Sequence, residues 1–248
     1  MASKIVLISG TTKGLGKGLL EIYLAKPNHT VIAANRDPEH ASSKALHHLP
    51  TGTGSRLIVV KVDASVESDA SEAIKTLNSQ GIDHLDLVIA NAGIANKYPK
   101  VSELRISDLL DHMTPNVFGV VWLFQATLPL LLQSESPKWV TMGSDAGCIQ
   151  LLAALRMHPP TSYSTTKVAI HWLTKKMNAE EERLNAFVIN PGFCQTDLGN
   201  RAAHLIGMEK AFVPVEESVP KLVELIDSAT KESHGGRLWN YTGEEMAW

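Results

Sequence analysis

The sequence predicts an α/β fold, a single domain over residues 1–248 built on one doubly wound parallel sheet of about seven strands with helices on both faces. Three observations predict it. Short, nearly continuous apolar runs rich in Val and Ile recur along the chain, longer segments with helical spacing separate them, and a glycine-rich turn directly follows the first run.

The strand candidates are 4–9 (KIVLIS), 30–34 (TVIAA), 56–62 (RLIVVKV), 85–90 (LDLVIA), 138–142 (KWVTM), 185–190 (NAFVIN) and 236–241 (GRLWNY). Runs apolar on both faces belong to a sheet covered on both sides. Between them LGKGLLEIYLA, VESDASEAIKTLNS, NVFGVVWLFQATLPLLLQ and SVPKLVELIDSAT carry apolar residues at helical spacing, and TGTGS (51–55) reads as a turn. Alternating strand and helix requires right-handed crossovers, with the ligand site beyond the carboxyl ends of the strands. No internal repeat or low-complexity tract interrupts the pattern.

Hydrophobic residues make up 44% of the 248, charged residues 20%, and the net charge is −3. That balance argues against disorder and against a nucleic-acid footprint, and leaves a small molecule as the expected partner. The two cysteines, Cys148 and Cys194, show neither disulfide nor metal-ligand spacing and fit a reducing compartment. The N-terminus runs straight into a strand pattern, and no apolar run reaches the roughly 18 residues of a membrane span. A cytoplasmic protein without membrane association is expected.

SGTTKGLGKG (9–18) joins the first strand to the first helix. Gly10 permits the sharp turn, Gly14 lets the backbone approach a pyrophosphate, and the helix N-terminus offers free N–H groups. The spacing G-x-x-x-G-x-G departs from the usual G-x-G-x-x-G, so a plain glycine turn is the competing reading. At the end of the second strand, where an acid would bind a ribose hydroxyl, stand Asn35 and Arg36, and Lys13 lies in the loop itself. Those two cations favour a ribose 2′-phosphate, hence NADP(H), although each alone could be a surface charge. Asp63 either binds an adenine amino group or caps the helix that follows.

Tyr163 and Lys167 stand four apart, on one helical face. A free phenol has a pKa of about 10 and is a poor acid near neutrality, whereas a neighbouring ammonium favours the phenolate. Lys167 is therefore expected to lower the Tyr163 pKa and to donate to ribose hydroxyls. Alone the spacing is common on solvated helices. Its place after the glycine loop, after NAG behind the fourth strand and after a serine behind the fifth makes it specific.

On SGTTKGLG (9–16), ANAG (90–93), Asn116 in NVFGVV, Ser144 in GSDAG, YSTTK (163–167) and NPGFCQTDLG (190–199), the chain resembles the short-chain dehydrogenase/reductase superfamily over essentially its full length. LDLVIANAG, PGFCQTDLGN and the C-terminal YTGEEMAW look most like the C-factor and sniffer-like carbonyl reductases, and among them the fungal norsolorinic acid ketoreductase group. The resemblance implies a Rossmann-type fold and a catalytic tetrad of Asn116, Ser144, Tyr163 and Lys167. It implies an NADP(H) site drawn from Gly10, Thr12, Lys13, Gly14, Leu15, Gly16, Asn35, Arg36, Asp63, Asn91, Ala92, Gly93, Tyr163, Lys167, Pro191, Gly192 and Thr196, and no metal.

In that scheme Ser144 holds a substrate carbonyl oxygen, Tyr163 protonates it, and Lys167 connects to solvent through a water placed near Asn116. Thr196 binds the nicotinamide carboxamide, and Phe193 and Cys194 border that side. Each role has a plainer rival: Ser144 as a turn cap, Asn116 as a first-turn residue after Pro115, Thr196 as a helix cap. The apolar stretch CIQLLAALRMHPP (148–160) is either a pocket wall or a packed surface loop. The short segment 198–212 suggests an open site, and His112, His158 and His204 are expected to be structural or exposed.

The resemblance implies a ketoreductase acting on a small-molecule ketone or its alcohol, with an aromatic polyketide as one candidate, and leads to the expectation of a homodimer or homotetramer built on the helices at 116–133 and 161–183. A sensor or scaffold that binds NADP(H) with little turnover would carry a damaged tetrad, yet all four positions are intact. An NAD-dependent alcohol oxidant of the same fold is opposed by Asn35, Arg36 and Lys13.

Overall fold

The structure, a computed structural model, describes residues 3–155 and 161–248. Strands β1 (Lys4–Ser9), β2 (His29–Asn35), β3 (Arg56–Lys61), β4 (Leu87–Ala90), β5 (Lys138–Met142), β6 (Asn185–Asn190), β7 (Leu238–Asn240) and β8 (Glu245–Met246) form one sheet in the order β3-β2-β1-β4-β5-β6-β7-β8. Every pairing from β3 through β7 is parallel; β8 returns antiparallel to β7.

The helices are α1 (Gly14–Ala25), α2 (Ala41–Lys44), α3 (Glu67–Ser79), α4 (Ile106–Met113), α5 (Gly119–Leu131), α6 (Leu152–Leu155), α7 (Thr161–Glu180), α8 (Asp197–Leu205), α9 (Val215–Ser228) and α10 (Lys231–His234). Side chains alternate across the sheet, which splits the core in two. Ile5 and Leu7 of β1 face one layer with residues of α3, α5 and α7, and Val6 and Ile8 face the other with α1 and α9. Because β1 lies between β2 and β4, strand order reverses there, and a crevice opens between the loops that leave β1 and β4.

Strands β1, β5 and β6 have the bounds read from the sequence. β4 begins two residues later than its apolar run, because residues 85 and 86 are used as an anchor. The Asp86 carboxylate accepts from the Ile5 amide at 2.8 Å and the Ser134 hydroxyl at 2.6 Å, and the Leu85 amide donates to the Leu130 carbonyl. β7 is shorter than expected, and the two-residue β8 is too short to leave an alternating pattern.

A further difference concerns α4 and α5. A π-helical turn, Thr114–Phe118, joins them into a continuous run, Ile106–Leu131, of 26 residues, long and apolar enough by length and composition to cross a membrane, although no such run was expected. Its inner side, with Val117, Val120, Leu123, Leu130 and Leu131, is buried, the behaviour of a core helix.

Candidate active site

The turn after β1 is set by two glycines in the left-handed region, Gly10 (φ 71°) and Gly14 (φ 55°). Asn35 holds it from β2, its Oδ1 accepting from the Thr11 amide at 2.9 Å and the Thr11 hydroxyl at 3.0 Å. From β4, the Asn91 carboxamide donates to the carbonyls of Ser9 (2.9 Å) and Gly10 (3.1 Å), while Ser9 Oγ accepts from the amides of Asn91 and Ala92, each at 3.0 Å. Gly16 packs so tightly that a Cβ would lie 2.1 Å from the Gly10 oxygen. Its role is close helix–strand contact, and Gly14 turns its open side toward Thr196, whose Cγ2 would be 3.1 Å from a Cβ there.

Thr12 and Leu15 are half-buried on this loop, and Leu15 also packs against the core. Among the described residues no side chain caps the N-terminus of α1, and Asn35 Nδ2 is buried without a partner. Free amides, a glycine cradle and an orphaned donor together fit an anionic dinucleotide. Arg36 is exposed and makes no ion pair among the described residues. Lys13 is committed elsewhere: its Nζ lies 2.6 Å from Asp197 Oδ2 at the start of α8 and holds that carboxyl below the usual range. Asp63 accepts from the Ser65 amide at 2.8 Å and so shapes the turn before α3, whose N-cap position is Val66. Asp69, a buried carboxylate the sequence reading passed over, receives the Asp63 amide.

Asn116 lies in the π-helical turn and clasps the NAG loop: its Oδ1 accepts from the Ile94 amide at 2.8 Å and its Nδ2 donates to the Ile94 carbonyl at 2.9 Å. The same Nδ2 reaches Thr166 Oγ1 of α7 at 3.1 Å, and Gly93 sits against Asn116 Oδ1. Asn116 is therefore more than a first-turn residue.

Ser144 follows β5. Its Oγ accepts from the Ala146 amide at 3.2 Å and donates to Asp145 Oδ1 at 3.2 Å, so the turn-capping reading also holds. Its amide donates to His171 Nε2 at 3.3 Å.

Tyr163 and Lys167 share one face of α7, with Lys167 Nζ 5.4 Å from the centre of the Tyr163 ring. Their electrostatics differ from expectation. Desolvation raises the Tyr163 pKa well above that of a free phenol; hydrogen bonding to Ser144 pulls it back, and the charges of Asp145 and Tyr98 push it up further. Lys167 is itself buried and donates to the Met142 carbonyl at 2.6 Å, and desolvation lowers its pKa to about 8. An ammonium taken out of water and turned to a strand-end carbonyl does not offset the burial of the phenol.

Beyond β6, Gly192 adopts φ 82°, and the Pro191 carbonyl accepts from Cys194 Sγ (3.0 Å) and Ser218 Oγ (2.8 Å). Burial raises the Cys194 pKa, as expected of an inert thiol. Thr196 caps α8 by accepting from the Gly199 amide at 3.1 Å. Across the crevice, Arg201 of α8 donates to Asn96 Oδ1 (2.9 Å) and to the Ala95 carbonyl (3.4 Å), the same oxygen that Tyr98 OH reaches at 2.7 Å.

His112 is buried between the Asp108 carbonyl and the Asn96 amide, and His204 is exposed beside the Glu209 carbonyl, both as expected. His158 and the end of the apolar 148–160 stretch lie outside the described residues. Within that stretch Ile149 and Leu152 are exposed. His171 was missed, though it stands one turn beyond Lys167 on the same helical face.

Residues 4–205 match the profile of the short chain dehydrogenase family. The norsolorinic acid ketoreductase of Dothistroma septosporum is 40% identical over 246 residues, covering 98% of this chain and 91% of its own. The NADPH-bound carbonyl reductase from chicken fatty liver superposes with a TM-score of 0.86 at 25% identity, over 100% of both chains. The carbonyl reductase Sniffer of D. melanogaster superposes with a TM-score of 0.82 at 24% identity, over 99% of this chain and 100% of its own, a likeness of fold. The chain belongs to the short-chain dehydrogenase family.

Proposed function

We propose that this enzyme is an NADPH-dependent ketoreductase, acting as a single catalytic domain in the cytoplasm, where its two buried free cysteines stay reduced. The observation that carries the reading is the convergence of Ser144, Tyr163 and Lys167 where β5 meets α7, beside the crevice at β1 and β4.

When bound, NADPH supplies a hydride to the carbonyl carbon. The chain supplies the proton and the hydrogen bonds. Tyr163 donates from its hydroxyl to the carbonyl oxygen as negative charge develops there, and Ser144 Oγ holds that oxygen as a second donor. The raised Tyr163 pKa suits reduction, because the phenol keeps its proton until an oxyanion forms to take it. Lys167 places a positive charge one turn away and is within the same buried region to bind ribose hydroxyls. Arg36 serves the 2′-phosphate, and Lys13 can add to it by leaving Asp197.

The substrate we assign is a bulky ketone, with an aromatic polyketide the leading candidate. Four large apolar side chains on the segments after β5 and β6 are exposed: Ile149, Leu152, Leu205 and Phe212. Phe212 stacks edge-on to Phe193, with centroids 5.8 Å apart. The Dothistroma relative is named for norsolorinic acid, in line with that class. We further propose a homodimer or homotetramer through the 116–133 and 161–183 faces, where Phe118 and Trp172 are exposed.

A panel of aromatic and aliphatic ketones, followed by loss of NADPH absorbance, tests the activity; no consumption with any of them would refute it. Tyr163→Phe should lower kcat by about 10²- to 10⁴-fold with NADPH affinity unchanged by fluorescence titration. Loss of a charge-assisted hydrogen bond in Arg36→Ala should weaken NADPH by about 10- to 100-fold and leave NADH within about twofold. Lys167 loses its proton near pH 8, so kcat/KM for NADPH should fall above about that pH, and the falling limb should move to higher pH in Lys167→Arg, which keeps its charge. A pH profile flat through this region would contradict the cationic role. Light scattering should give a mass of two or four chains, and a monomer mass would remove the assembly proposal.

A further inference from the structure

The serine loop is wound around a histidine. His171, one helical turn beyond Lys167, is 2% exposed, and its ring fills the concave side of Gly143-Ser144-Asp145-Ala146-Gly147. A Cβ on Gly143 would come within 2.7 Å of His171 Nε2, and one on Gly147 within 2.7 Å of Cε1. Both glycines thus lie against the imidazole, Gly143 also against Val188 Cγ1 and Gly147 also against Lys167. Behind it the ring meets the Trp248 indole edge-on, with centroids 5.8 Å apart.

The hydrogen bond fixes the tautomer. Since the Ser144 amide donates to Nε2 at 3.3 Å, that nitrogen carries the lone pair and the proton resides on Nδ1, which is buried with no partner among the described residues. Desolvation first, and the nearby Lys167 charge second, lower the His171 pKa to about 3, so the ring stays an acceptor at any working pH. Without an acceptor at that point the half-buried Ser144 amide would be left unpaired, or the loop would rotate to satisfy it and carry Oγ away. Ser144 Oγ already has two competing neighbours, the Asp145 carboxylate and the Ala146 amide, so small rotations of the loop change where it points.

We propose that His171 is the positioning residue of the serine loop: its imidazole, clasped between Gly143 and Gly147, takes the Ser144 amide on Nε2 and so sets the direction of Ser144 Oγ toward the substrate oxygen. The proposal rests on the reading of Ser144 as a donor to that oxygen. His171 itself touches no reacting atom.

The test compares His171→Leu, His171→Gln and His171→Asn with wild type on the ketone of the panel that is reduced fastest. Leu fills the space without an acceptor, Gln can bring an oxygen to the place of Nε2, and Asn is too short. Leu and Asn should lower kcat by about 10- to 100-fold, the cost of a misplaced catalytic group, while NADPH affinity stays within about twofold. Gln should restore most of the rate. Full activity in His171→Leu, or a loss that Gln does not relieve, would overturn the proposal.

Ser144→Ala run in parallel separates the two ideas. If it is inactive while His171→Leu is fully active, only the positioning role falls; if Ser144→Ala is fully active, the serine reading falls and the proposal with it. Nitrogen-15 NMR of the histidine-labelled wild-type protein needs no variant to fold. A neutral ring protonated on Nδ1 from about pH 5 to 8 supports the proposal, and an imidazolium or the Nε2-protonated tautomer there refutes it.

Discussion

The site depends on an ammonium held out of water. Lys167 is 7% exposed, and its hydrogen bond to the Met142 carbonyl ties the middle of α7 to the end of β5. Burial of a charge is costly unless it is hydrogen-bonded. That carbonyl meets part of the cost, and the fall of the Lys167 pKa to about 8 registers the part left unmet. The Lys167-to-Met142 bond also sets which neighbours α7 presents to the loop after β5: Tyr163 one turn before the lysine, His171 one turn after it. One buried cation thereby aligns Tyr163 and His171 on the loop after β5.

Carboxamides do the corresponding work on the cofactor side. Asn35 holds Thr11, Asn91 holds the carbonyls of Ser9 and Gly10, and Asn116 holds both backbone groups of Ile94. Each side chain offers a donor and an acceptor with no net charge. A carboxylate at Asn91 would lose the two bonds that Nδ2 donates, and one at Asn35, though able to accept from Thr11, would repel an anion bound at the glycine turn; a lysine would attract the anion but could accept nothing. Neutral clasps leave the field there to the free amides of α1 and to Arg36.

Much of this was legible in the sequence because the strongest signals are local. The runs at 4–9, 138–142 and 185–190 became strands with those bounds, since strands buried on both faces must be apolar throughout. The glycine loop and the Tyr163–Lys167 spacing were readable for the same reason. Long-range contacts were not. The salt bridge from Lys13 to Asp197 spans 184 positions, so a cation assigned to a phosphate is found paired with α8. The direction of the Tyr163 shift depends on desolvation by surrounding protein, which spacing does not encode. The π-helical turn at Asn116 and the histidine beneath Ser144 likewise become evident only once separate elements meet.

The links that cross the crevice differ in kind from those that build its walls. The walls are held by buried hydrogen bonds and by glycines pressed against backbone, at Gly10 on Ala92 and Gly16 on Gly10. α8 reaches across through Lys13 with Asp197 and Arg201 with Asn96, all of them exposed side chains. Exposed ion pairs are worth about 0–1 kcal/mol, so exchanging one for a phosphate or a polar substrate group costs little. A site built this way keeps its geometry in the loops after β1, β4 and β5, and concentrates its adaptability in α8.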